Sequence, residues 1–113
     1  MAWTVMAMIG RALLASLFIL AGAAKLFGPK PFLVHMDACG VPKFLLPGVI
    51  ALELVAGALT LIGWQTRWAA LALSVFCIAA AVVFHRNWSD RAERTLFLKD
   101  VELAGGLLVL ASQ

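Results

Sequence analysis

The sequence has little charge. Asp, Glu, Lys and Arg make up 13% of its 113 residues, about half the share of an ordinary soluble domain. Hydrophobic residues make up 64%, and the mean hydropathy is +1.00. A chain this small has too little interior to hide so much apolar surface from water. A water-soluble globule is excluded, and lipid must cover much of the chain. Cysteine is scarce too. Cys39 and Cys77 stand far apart and form no C-x-x-C pair, which argues against a thiol–disulfide relay within the chain; both read as ordinary or buried cysteines. There is no Gly-rich phosphate loop, and His35 and His85 have no metal-ligand spacing. No nucleotide or metal cofactor is therefore expected. The net charge of +3 sits at the ends of apolar runs. Nucleic acid needs a basic stripe on a water-facing surface, so that partner is excluded. No internal repeat or low-complexity segment is evident.

Four apolar runs make up most of the chain. The first, Met6 to Phe27, is broken only by Arg11 and Lys25. The second, Phe44 to Trp64, is broken only by Glu53. The third, Trp68 to Phe84, carries no charge. The fourth, from Leu96 onward, has Lys99, Asp100 and Glu102 near its start. A spanning helix needs about 20 residues, with a usual range of about 17–25. The runs are continuous rather than alternating, which excludes a transmembrane β-barrel. The sequence predicts an all-α integral membrane four-helix bundle, one domain over 1–113, with helices at about 5–27, 44–63, 67–85 and 96–112. The first run also resembles a signal peptide, with Arg11 as n-region and Ala21-Gly22-Ala23 as cleavage site. Arg11 lies behind further apolar residues, so a retained helix is expected.

The connections differ in kind. Gly28 to Lys43 contains Pro29, Pro31, Gly40 and Pro42, so it cannot be one continuous helix. Phe32-Leu33-Val34 within it suits a short interfacial stretch. Gly63 to Arg67 is a tight turn that makes the second and third helices antiparallel neighbours. His85 to Thr95 is polar. Lys25, Lys30, Lys43, Arg86, Arg91, Arg94 and Lys99 fall on the side of the first and third loops, against Arg67 on the other. The positive-inside rule places those loops in the cytoplasm and both termini outside a cell (inner) membrane. Trp3, Trp64, Trp68 and Trp88 lie near helix ends and read as an interfacial belt.

Ionisable groups within spans cost at least about 2.5–3.5 kcal/mol each on insertion scales and call for partners. An Arg11–Glu53 pair is the simplest expectation. It either fixes helix packing or marks a polar site. Thr60 shares the face of Glu53, and Arg67 caps the same side, so Arg11, Glu53, Thr60 and Arg67 form a candidate ligand site. Lys25, His85, Lys99 and Glu102 form a second polar cluster on the other side. There Asp100 and Glu102 suit a helix N-terminus and Lys25 and Lys99 can snorkel. Glu102 could also pair with Lys25 or His85. At about 100° per residue, small or polar stripes emerge: Arg11, Phe18, Gly22 and Lys25; Glu53, Gly57 and Thr60; Arg67, Ser74, Ala81 and His85; Lys99, Glu102, Gly106 and Gln113. These stripes should converge on a common axis, either packed shut or holding a narrow pocket walled by Phe18, Leu52, Leu71 and Phe76.

Three stretches together resemble the DoxX family of small four-helix membrane proteins. They are RALLASLFILAGAAKLFGP from Arg11, ELVAGALTLIGWQTRWAALAL from Glu53, and Phe84-His85 followed by FLKDVELAGGLLVL from Phe97. The resemblance covers nearly the whole chain; Asp100 stands where the family usually has Asn. Arg11, Lys25, Glu53, Arg67, His85 and Lys99 match the family's polar pattern, which implies no catalytic residue. The resemblance implies a membrane subunit supporting quinone- or thiol-linked redox proteins, without chemistry of its own. The residues themselves suit a quinone- or lipid-binding protein, perhaps an oxidoreductase, with its site around Glu53 and Arg11. A small-solute transporter would require a homo-oligomer. An apolar pocket touching Glu53 favours the ligand binder, and a closed axis favours the subunit.

Overall fold

Proline and glycine set the helix boundaries. The computed structural model describes residues 2–85 and 89–113, and its regular elements are all helical: α1 (Ala2–Phe27), α2 (Lys30–Ala38), α3 (Leu46–Ile62), α4 (Thr66–Phe84) and α5 (Arg91–Ala111), with one 3-10 turn at Lys43–Leu45. α1 stops before Gly28-Pro29, since proline disfavours helical backbone in the residue before it. α2 and α3 carry Pro31 and Pro47 in their first turns, where the missing N–H has no intrahelical partner to lose. α3 ends at Gly63, with φ 79°. There the N–H groups of Gly63 and Trp64 both donate to the Leu59 carbonyl, at 3.0 and 3.1 Å, a left-handed helix stop. At the start of α5, Asp90 Oδ1 accepts from the N–H of Ala92 at 2.9 Å and of Glu93 at 3.4 Å. That cap starts the helix at Arg91, five residues before the expected boundary, and winds part of the polar loop into it. The Pro-rich connection is also more ordered than a short stretch, forming the nine-residue α2.

α1 packs on α3, α3 on α4, and α4 on α5; α5 touches α1 only lightly. Neighbours are antiparallel, so the C-terminal end of α5 returns to the end of the bundle where α1 begins. Glycines bring α1 and α3 close. A Cβ on Gly22 would lie 2.9 Å from Leu54 Cγ, and one on Gly57 would lie 3.0 Å from Ile19 Cγ1 and 3.4 Å from the Ala15 carbonyl. Small residues serve this close approach in membrane helices. Between α4 and α5 the Ser74 hydroxyl donates to the Ala104 carbonyl at 3.1 Å. Leu73, Cys77, Ala70, Ala104 and Leu107 pack there, joined by Phe18 of α1.

Among the described residues, three segments are long and apolar enough to cross a membrane: Thr4–Phe27, Lys43–Ile62 and Thr66–Phe84. α5 falls short of the four expected spans because Arg91, Glu93, Arg94, Lys99, Asp100 and Glu102 crowd its first half. Apolar side chains cover the outside, with Leu13, Leu20 and Ile62 about two-thirds exposed at 67%, 68% and 69%. Trp64 and Trp68 are exposed at the α3–α4 turn, as a belt requires; the side chain of Trp3 lies outside those described. Trp88 and Arg86 lie outside the described residues.

Three of the expected stripes face inward: Glu53, Gly57 and Thr60 are buried, as are Ser74 and Ala81, and Phe18 with Gly22. Arg67 is exposed. The fourth stripe is corrected. Lys99, Glu102, Gly106 and Gln113 are exposed, while Ala104, Leu107 and Ala111 are buried. α5 packs against α4 rather than around a shared axis, and its alanines allow the close contact that the Ser74 bond needs.

Gly57→Leu forces a side chain between α1 and α3 and is expected to destabilise by about 1–3 kcal/mol, as overpacking does. Gly105, where a Cβ meets nothing within 4 Å, is the control: Gly105→Ala should leave stability equal or higher by up to about 1 kcal/mol. Thermal unfolding in detergent decides; equal melting of Gly57→Leu and the parent would refute the close α1–α3 contact.

Candidate functional site

A cavity of about 850 Å³ lies at the end of the bundle where α1 finishes and α3 begins. That volume is in the range of small-molecule sites, roughly 300–1,000 Å³. Its walls come from every helix: Leu17 and Phe18 of α1, Phe32 and Met36 of α2, Leu46 and Val49 of α3, Phe76, Val83 and Phe84 of α4, and Leu103 of α5. The polar groups that reach it are Lys25, Glu53, His35, His85 and Asp100.

Lys25 and Glu53 form the principal contact. Lys25 Nζ donates to Glu53 Oε1 at 2.5 Å, with the two side chains 17% and 2% exposed. The ammonium also lies 5.2 Å from the centre of the Phe32 ring, within cation–π range. This pair replaces the expected Arg11–Glu53 pair, and helix geometry gives the reason. α3 starts only at Leu46, so Glu53 sits roughly 10 Å in from that end, whereas Arg11 lies roughly 24 Å back from the end of α1, at ~1.5 Å per residue. The Gly22 contact places Glu53 level with Gly22. Side chains lean toward a helix's N-terminus, so Lys25, one turn beyond Gly22, leans back onto Glu53. Arg11 instead lies at the far end of α3. Its guanidinium atoms come within 3.2 Å of where a Gly63 Cβ would be, beside the negative end of the α3 dipole, a favourable place for a cation.

His85 follows the last turn of α4 and faces two carboxylates of α5. Its Nδ1 is 3.1 Å from Glu93 Oε2, and its Nε2 is 3.6 Å from Asp100 Oδ2. The first is a hydrogen bond; the second is an electrostatic contact beyond hydrogen-bond range. His35 of α2 meets the Phe84 ring edge-on at 5.2 Å, and its centroid is 6.1 Å from that of His85. The cavity thus has long apolar walls and one end furnished with an ammonium, carboxylates and imidazoles. Those groups can donate to, accept from and exchange protons with a bound polar head.

The structure divides the sequence candidates. Lys25, Glu53 and His85 meet at the cavity. Arg11, Thr60 and Arg67 do not line it; the Thr60 hydroxyl donates to the Ala56 carbonyl at 2.8 Å within its own helix. Lys99 and Glu102 face outward into a shallow groove with Leu14, Leu17 and Leu103. Of the expected walls, Phe18 and Phe76 serve, Leu52 packs in the core and Leu71 is exposed. Sequence reasoning missed His35, Asp100 and both cysteines as cavity residues. The signal for His35 was present: Pro31, three residues after the α1 stop, marks the start of a helix that carries His35 one turn later.

Comparison with known proteins gives concordant matches. The DoxX family model matches residues 6–86. The chain is 38% identical over 104 residues to the inner membrane protein YqjF of Escherichia coli (strain K12), covering 92% of this chain and 80% of that protein. It is 29% identical over 114 residues to the inner membrane protein YphA of the same organism, covering 95% and 81%. No solved structure matches the chain.

Breaking a buried pair by removing one partner costs about 3–5 kcal/mol, because the other charge is left uncompensated. Lys25→Met and Glu53→Gln should therefore each destabilise strongly, and the double variant should lose less than either alone. The same cycle between Arg11→Gln and Glu53→Gln should be additive within about 0.5 kcal/mol. Thermal or denaturant unfolding in detergent reads both cycles. A coupling between Arg11 and Glu53 instead of Lys25 and Glu53 would overturn the assigned pair.

Proposed function

Since this chain belongs to the DoxX family and is an integral inner membrane protein, we propose that it binds a membrane-soluble amphiphile, a quinone or a lipid, in the cavity that ends at Lys25 and Glu53. The single observation that carries this reading is a mostly apolar cavity of about 850 Å³ touching Glu53. A subunit without a ligand needs no such space. Apolar walls with a few directional polar groups suit a ligand that is greasy along its length and polar at one head. Phe18, Phe32, Phe76 and Phe84 offer ring contacts, and Lys25, His35 and His85 can donate to a carbonyl or hydroxyl oxygen. A redox role belongs to the quinone arm of this proposal: the ligand carries the electrons, partner redox proteins exchange them, and no residue of this chain acts as a redox centre.

The arrangement in the bilayer is part of the proposal. α5 is read as the fourth span, with Arg91, Glu93 and Arg94 in its first turns, Asp100 at the cavity and Lys99 and Glu102 on its outer face. α2 and the connection before α5 face the cytoplasm, and both termini face outward. Lys30, Lys43, Arg91 and Arg94 lie at the cavity end and Arg67 at the other, the asymmetry the positive-inside rule uses. The cavity then opens near the cytoplasmic leaflet.

Two measurements check this. In nanodiscs, a short-chain ubiquinone and a spin-labelled phospholipid should each be titrated. At least one should bind saturably, and Ala80→Trp, which fills the cavity that Ala80 of α4 lines, should weaken it tenfold or more while Arg11→Gln leaves it unchanged. No saturable binding of either would return the reading to a supporting subunit. Separately, a C-terminal reporter active only in the cytoplasm should stay silent, and one active only outside should score; the reverse pattern would invert the topology.

A further inference from the structure

Two charges on α5 stand where lipid would be. By the Ser74–Ala104 register, Lys99 lies level with Ala79 and Glu102 with Phe76, about one and two turns inside the end of α4 at Phe84. Both are exposed. They sit three residues apart on one helix, yet neither takes part in an ion pair among the described residues. Lys99 could snorkel toward headgroups, but Glu102 is too short to do so. No described residue supplies Glu102 with a cation, and one from a neighbouring chain would satisfy it.

We propose that the chain forms a parallel two-fold homodimer through this face of α5, with Lys99 of each copy paired to Glu102 of the other. Three observations select a second copy. The face is self-complementary: Lys99 and Glu102 are one turn apart, so a two-fold axis along the membrane normal brings each Lys against the other copy's Glu. Such an axis also keeps both copies in the same orientation in the bilayer. Next, Gly106 continues the charged stripe, and a Cβ there would meet nothing closer than 4.0 Å, so two backbones can approach as small residues allow. Finally, α1 and α5 barely touch and leave between them an apolar groove of Leu14, Leu17 and Leu103 beside the two charges. The dimer seats the partner's α5 in that groove. The groove shares Leu17 and Leu103 with the cavity wall, but Lys99 and Glu102 line only the groove, so the pairing does not depend on a ligand in the cavity.

Single-molecule subunit counting in lipid bilayers, across a range of protein-to-lipid ratios, tests the pairing. The parent chain should dimerise. Lys99→Glu and Glu102→Lys should each weaken the dimer tenfold or more, and Lys99→Glu/Glu102→Lys together should restore it. A parent that stays monomeric at all ratios, leaving lipid or another protein to cover the face, overturns the proposal. So does a dimer equally stable in all four proteins, which would place the interface elsewhere. Should a single reversal fail to fold, cysteine crosslinking replaces it. In a Cys39→Ser/Cys77→Ala background, Gly106→Cys should crosslink in membranes and Leu61→Cys, on the exposed face of α3, should not; the opposite result also overturns the dimer.

Discussion

An ammonium and a carboxylate held together within an apolar bundle constrain the rest of this molecule. Lys25 and Glu53 each resist burial alone, and only together do they suit the place the sequence gives them. Their contact fixes how far α1 and α3 slide past one another. That register sets Gly22 against Leu54 and Gly57 against Ile19, and brings Arg11 to the end of α3 at Gly63. A shift of one turn along either helix would unpair the ions and drive side chains into both glycine contacts at once. The same lysine lies against Phe32 of α2, so the pair also ties the short helix to the bundle and helps keep one wall of the cavity in place.

The two ends of the bundle consequently have different characters. At the end where α1 begins, polar groups are spent on structure: Arg11 faces the C-terminus of α3, Thr60 bonds its own helix, and Arg67 is exposed. At the other end the helices part around a cavity, and α2 contributes Phe32, His35 and Met36 to it. His85 and its carboxylate neighbours gather there beside the ion pair. In the proposed ligand site a polar head would be oriented at that end, with the rest of the ligand against the apolar walls that run toward the middle of the bundle. Lys99 and Glu102 of α5 are exposed away from both ends, and the proposed dimer is the contact that would use them.

Much of this was legible before the coordinates. Long uncharged runs and their Pro and Gly punctuation located the helices, because hydrocarbon leaves backbone groups no other partner than their own helix. Glu53 stood out as a buried charge for the same reason. Its partner did not, since pairing depends on where α3 starts; the three-residue 3-10 turn before Leu46 decides that, and no periodicity reveals it. The stripe of α5 misled because a polar stripe on a membrane helix faces inward only when the helix packs around a common axis, and α5 packs on α4 through Ala104 and Leu107. Asp100 was read as complementing a helix N-terminus, whereas the Asp90 cap starts the helix at Arg91, leaving Asp100 about two and a half turns inside it. Pro31 marks the helix that carries His35, but that this helix folds back beside Phe84 of α4 is a tertiary event without a local signature.

The central claim is that the space beside Lys25 and Glu53 is a ligand site rather than a gap between helices. Photoaffinity labelling in native membranes addresses it most directly, using lipid-soluble azido-quinone and diazirine-phospholipid probes with and without excess unlabelled competitor, followed by peptide mapping. The account predicts competable adducts on α2 around Phe32 to Met36 and on the facing stretch of α4 from Phe76 to Phe84. Adducts confined to the outward-facing leucines of α1 and to α5, or labelling that competitor does not reduce, would contradict it.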